Sequence, residues 1–147
     1  MRIEIDTGSR LDQSGDTTFA FSDDIQRAIL LKQTVRDKCL ERLPGDRLKK
    51  QLRLFASCIY LLIKDHLNEI EEIKIDREYP GHEDEIKWII LNILKSHFPF
   101  PELRINIEFE PLGKKSSAHK IAWRTLRKER DADQVLTHWE ILSALLK

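Results

Sequence analysis

The chain has 147 residues, 41% of them hydrophobic, which is enough to bury a core without disulfides or a structural metal. Its 25 basic residues balance 25 acidic ones, so no global charge draws it to a polyanion or a membrane surface, and any nucleic-acid argument must be local. The longest apolar runs, at residues 59–63 and 88–91, fall far short of the roughly 20 residues that cross a bilayer.

The opening Met-Arg-Ile-Glu-Ile-Asp carries acids, unlike a secretion signal or a transit peptide, so the expected location is cytoplasmic. Cys39 and Cys58 have no Cys or His at zinc-site spacing and are expected to be reduced thiols in packing roles. One domain is expected over residues 1–147, with a core at 2–128 and a C-terminal amphipathic helix at 133–147.

Residues 2–6 alternate, with Ile3 and Ile5 on one face and Glu4 and Asp6 on the other, which is the period of a strand. A turn-rich stretch at 7–16 leads to the β-branched and aromatic residues 17–21, expected to be a second, antiparallel strand. Residues 28–31 extend this meander, although a helical turn beginning after Asp23 and Asp24 fits them almost as well. Beyond Pro44, Gly45 and Asp46, the spacing of Leu48, Leu52, Phe55, Ile59, Leu62 and Ile63 predicts a long buried helix to about residue 67.

Residues 72–76 repeat the strand rhythm, and Tyr79-Pro80-Gly81 ends it. A second helix is predicted over 83–97, closed by Pro99 and Pro101. Leu103, Ile105, Ile107 and Phe109 then alternate with polar residues in the clearest strand of the chain, whose polar face is expected to be wet. Ser116 and Ser117 are placed to cap a third helix to about residue 128, and Val135, Leu136, Trp139, Leu142 and Leu146 form the apolar stripe of the last one.

A meander followed by alternating helices and strands is the order of an α/β fold, and right-handed crossovers make the first, fourth and fifth strands parallel in one sheet. This order, together with Asp6 in Ile3-Glu4-Ile5-Asp6-Thr7-Gly8-Ser9 and Asp76 in Ile73-Lys74-Ile75-Asp76, resembles the ribonuclease H-like superfamily over residues 2 to about 128. An extra Thr7 interrupts the strand-aspartate-glycine-serine opening of that superfamily. The resemblance implies a mixed five-stranded sheet flanked by helices, in which the first and fourth strands lie side by side and each delivers a metal-binding aspartate.

Independently of the resemblance, acids at the carboxyl ends of adjacent parallel strands converge on one crevice, and two close carboxylates repel unless a divalent cation neutralises them. Magnesium or manganese suits such an all-oxygen site and the hydrolysis of phosphodiesters. Asp6 and Asp76 are therefore the candidate metal ligands. The acid that the superfamily takes from its first long helix has no match here, and Glu78 and Glu110 are the possible substitutes. His119 occupies the topological place where Argonaute-like members of the superfamily carry a histidine, and it completes a candidate catalytic set of Asp6, Asp76, Glu78 and His119.

Lys114, Lys115, Lys120, Arg124 and Arg127 form the strongest local run of positive charge and are the candidate nucleic-acid contacts; with Arg47, Lys49, Lys50 and Arg53 they could line a groove. The alternative for every one of these residues is structural, as strand ends, helix caps or solvated helix surface. Trp88, Trp139 and Trp123 fall within helical apolar patterns and are expected to pack in the core or between subunits rather than stack on bases. No glycine fingerprint supports ATP or NAD chemistry, and Ser9, Ser116 and Ser117 lack the setting of a nucleophile. The function expected is a nucleic-acid-binding domain acting as a magnesium-dependent nuclease. The alternatives are a non-catalytic binding domain for nucleic acid or a protein, and a scaffold that forms a homo-oligomer through its C-terminal helix.

Overall fold

The computed structural model describes residues 1–98 and 105–145. In chain order these form β1 (Arg2–Gly8), β2 (Thr17–Ser22), β3 (Gln26–Leu31), α1 (Gln33–Arg42), α2 (Arg47–Ile63), β4 (Glu72–Asp76), α3 (Glu83–His97), β5 (Asn106–Glu110), α4 (Ser117–Leu126), β6 (Gln134–Val135) and α5 (His138–Leu145). The six strands make one mixed sheet in the order β5-β4-β1-β2-β3-β6. The β1-β2 and β2-β3 pairs are antiparallel, whereas β1-β4, β4-β5 and β3-β6 are parallel.

Alternation along the strands divides the sheet into two unlike faces. Ile3, Ile5, Phe19, Phe21, Ile29, Leu31, Ile73, Ile75 and Ile107 point into the main core with α2 and α3. Fully burying such side chains contributes about 1.5–3 kcal/mol each. Asp46 caps α2 by accepting the Lys49 amide at 2.9 Å, and the helix is buried almost all round from Gln51 to Ile63 because α1, α3 and α5 pack on it as well as the sheet.

Among the described residues the second face carries a single helix, α4, which lies over β1, β2 and β3. The layer between them is built of small residues, Ala20, Ala28 and Ala122 with Ile121, so helix and sheet approach closely. A Cβ at Gly8 would stand 2.4 Å from the Thr18 hydroxyl and 2.8 Å from the Ala122 carbonyl oxygen, so only glycine fits there. Among the described residues no helix covers the outward residues of β4 and β5, and Lys74, Asp76, Glu108 and Glu110 are at least partly exposed, as the alternation predicts.

Several expectations need correction. The sheet has six strands, not five, because residues 134–135 pair with β3 as a strand; the last helix therefore begins at His138 and not at 133. Residues 26–31 are a strand, since their amides pair along β2. The helix α1 was not foreseen: it has no side-chain cap, and its apolar residues Val35, Cys39 and Leu40 are too few to mark a period. The long helix stops at Ile63 and passes into a 3-10 turn over Lys64–His66.

Leu48 is exposed rather than buried, and Trp88 and Trp139 are 67% and 66% exposed, so neither tryptophan packs in the core. Ser116 precedes α4 but makes no cap; its hydroxyl donates instead to Glu4 Oε1 at 3.1 Å. Pro99, Pro101, Leu103 and Leu146 lie outside the described residues. Among the described residues no helix is long and apolar enough to cross a membrane.

Candidate metal centre

The β1-β4 pairing sets Ile5 against Ile75, so Asp6 and Asp76 are the next residues along two adjacent parallel strands. The chain leaves β1 for β2 on one side and reaches β4 on the other, which makes this the crevice where open α/β sheets bind ligands. Asp6 is not at the strand end but two residues inside it, and it is only 4% exposed. Beyond β4 the chain turns, and Glu78, 5% exposed, joins the two aspartates. One ligand oxygen from each of Asp6, Asp76 and Glu78 lies within 4.8 Å of the others.

Each carboxylate is held in place by a separate donor. Asp6 Oδ1 accepts the Thr7 amide at 2.7 Å, and Asp76 Oδ1 accepts the Leu112 amide at 2.9 Å. The Thr7 hydroxyl donates to Glu78 Oε1. The second oxygen of Glu78 is buried with no hydrogen-bond partner among the described residues. A buried, unpaired carboxylate oxygen is costly unless it carries a proton or meets a cation.

Electrostatics follow from this crowding. Burial, opposed by the Thr7 hydroxyl and the Arg10 charge and reinforced by Asp6 and Asp76, pushes Glu78 up from 4.5 to about 7. Burial and the Asp76 charge push Asp6 up from 3.8 to about 6, against the Thr7 amide and His119. Burial is the larger cause for both acids, and repulsion within the acid cluster adds to it.

His119 lies on the face of α4 that meets β1, and its Nδ1 is 3.0 Å from Asp6 Oδ2. It lies outside the group of three residues whose ligand atoms stand within 4.8 Å of one another, and its contact with the site is through Asp6. Glu110, which faces Asp76 in register, turns away to pair with Lys74 at 3.6 Å. Thr7 and Arg10 were not singled out in the sequence. The signal for Thr7 was the residue inserted after Asp6, whereas nothing in the turn around Arg10 marked it.

Lys114, Lys115, Lys120, Arg124 and Arg127 are all exposed, and none forms an ion pair among the described residues. They follow α4 from its start to its end, and Arg127 Nε donates to the Trp123 carbonyl at 3.4 Å. Arg47, Lys49, Lys50 and Arg53 belong to α2 on the opposite face of the sheet, so the two basic runs do not line one groove. A hollow of about 580 Å³ at the amino-terminal ends of β1 and β4, lined by Arg2, Glu4, Glu72, Lys74 and Ser117, does not include the three acids.

The arrangement can bind a hard divalent cation through oxygen, because three carboxylates converge with one oxygen unpaired; nothing in the geometry distinguishes magnesium from manganese. Comparisons with protein-family models, with curated proteins and with solved structures each find no match to this chain.

Proposed function

We propose that this chain is a ribonuclease H-like, divalent-cation-dependent nuclease domain in which Asp6, Asp76 and Glu78 hold the ion. The convergence of these acids, with the buried second oxygen of Glu78 unpaired, carries the reading. The order β3-β2-β1-β4-β5, with β2 alone antiparallel among those five, supports the resemblance; the extra strand β6 is added outside it.

A magnesium or manganese ion would supply Lewis acidity and neutralise charge on a phosphodiester. The protein's part is preorganisation. Thr7 fixes two of the carboxylates, the Leu112 amide fixes the third, and His119 holds Asp6 in one orientation, so that little reorganisation accompanies the reaction. In hydrolysis the oxygen of water bonds to phosphorus, the ester bond breaks with its electron pair going to the leaving oxygen, and a water proton ends on that oxygen. Lys114, Lys115, Lys120 and Arg124 offer salt-sensitive contacts to the flanking phosphates.

The test is a magnesium titration followed by amide shifts, with nuclease assays on single-stranded, duplex and hybrid substrates. The expected result is shifts centred on Asp6, Asp76 and Glu78, and cleavage that Asp6→Asn abolishes without unfolding the chain. Absence of any magnesium or manganese effect at these residues would remove the proposal.

A second reading is a non-catalytic domain that binds nucleic acid or a protein. It is favoured by the absence of a fourth acid from the cluster among the described residues. Cation binding without cleavage of any substrate would select it. Self-association through α5 belongs to this reading, since Trp139 stands exposed there; sedimentation of the wild type and Trp139→Ser at several concentrations tests it.

A further inference from the structure

Arg10 is held against the acid cluster by contacts that the metal centre itself does not require. Its Nη2 donates to the main-chain carbonyl of Glu78 at 2.8 Å. The guanidinium lies over the Tyr79 ring, 5.7 Å from its centroid, and that ring packs edge-on against Phe55 in the core. The side chain is nevertheless 46% exposed, and Nη1 has no hydrogen-bond partner among the described residues. Its nearest acid is Asp12, which accepts from Nε at 3.1 Å and from Nη2 at 3.4 Å.

From this placement we propose that Arg10 is a phosphate-binding residue at the edge of the acid cluster, receiving the phosphate of a nucleotide or of a nucleic-acid strand. The inference rests on the nuclease reading and adds to it the group that meets the substrate's anion. Three carboxylates and one divalent ion leave a net negative charge, which repels a phosphate unless a fixed cation stands nearby. Arg10 is that cation, because it is tied by its hydrogen bond to the main chain of Glu78, one of the ligands.

A guanidinium fork matches the geometry of phosphate oxygens and is pre-oriented here by the carbonyl and the aromatic plate. Asp12 competes with that use, but the pair is open to water on both sides and is worth little, so a phosphate can displace it. The basic residues of α4 serve the flanking strand; Arg10 serves the phosphate nearest the acids.

The test uses the full chain and thymidine 5′-monophosphate as probe, titrated calorimetrically with and without saturating magnesium, after thermal melts establish that each variant is folded. Arg10→Gln should weaken nucleotide binding about tenfold or more, as expected for loss of a charge-assisted contact. Asp12→Asn should tighten it about threefold by releasing the fork, and Arg10→Lys should fall between wild type and Arg10→Gln. Magnesium affinity without nucleotide should change less than about threefold in all three variants. Unchanged nucleotide affinity in Arg10→Gln, or a loss matched by an equal loss of magnesium affinity, overturns the proposal. A wild-type chain that binds no nucleotide overturns it too, whereas one that binds nucleotide but no magnesium defeats the metal reading and leaves Arg10 to be judged on the magnesium-free titrations.

Discussion

Thr7 serves two carboxylates at once, its amide donating to Asp6 and its hydroxyl to Glu78, so a single side chain couples β1 to the turn after β4. Glu78 then pays for its burial through its proton affinity, which sets a pH dependence of stability. Its value rises from 4.5 to about 7, so between those limits the folded chain keeps a proton that the unfolded chain has released. Stability from this group is therefore greatest below about pH 4.5, declines as pH rises to about 7, and is level above that, a change on the order of 3 kcal/mol. Asp6, raised from 3.8 to about 6, acts in the same direction over a lower window. Thermal melts in the presence of a chelator should give a lower midpoint at pH 8 than at pH 5.5, and Glu78→Gln should remove much of that decline. A slope unaltered by Glu78→Gln would show that the acid does not carry it.

At the scale of elements, the site depends on how closely α4 lies on β1. Ser116 meets Glu4, His119 meets Asp6, and the Ala122 carbonyl accepts the Thr18 hydroxyl at 2.7 Å beside Gly8. A methyl group at Gly8 would collide with that carbonyl, which is helix backbone and cannot swing aside. Gly8→Ala should therefore destabilise the chain by about 1–3 kcal/mol in urea, as overpacking does, and should loosen the His119 contact with Asp6. Wild-type stability in Gly8→Ala would mean that α4 yields without cost.

The strands β1, β4 and β5 and the helices α2 and α3 were legible because their apolar residues recur with a clear period and their neighbours are turn formers. The helix α1 was not, because a helix packed on one side only by α2 and α5 needs few apolar residues. The strand expected at residues 28–31 competed closely with a helical turn after Asp23 and Asp24, and pairing with β2 makes it a strand.

For the molecule as a whole, the segment after α4 closes the structure instead of lying outside it. Residues 134–135 extend the sheet beside β3, and α5 packs on α1, α2 and α3 with Ile141 fully buried. Ile141→Ala should cost about 2–5 kcal/mol in a denaturant titration, whereas Trp139→Ser, at an exposed position, should change stability by less than about 0.5 kcal/mol. Equal effects of the two substitutions would contradict the burial pattern.

The sequence alone determined the α/β class, the alternation that puts Asp6 and Asp76 on the faces opposite the isoleucines of their strands, and the wet face of β5, since strand period and apolar spacing are local properties. It could name Asp6, Asp76, Glu78 and His119 as separate candidates. Only the tertiary structure decided that the first three share one crevice, that His119 stops at Asp6, that Thr7 and Arg10 belong with them, and that the two basic helices face apart. Those relations depend on strand register and on which face each helix covers, and both are fixed by contacts between residues as many as 113 positions apart.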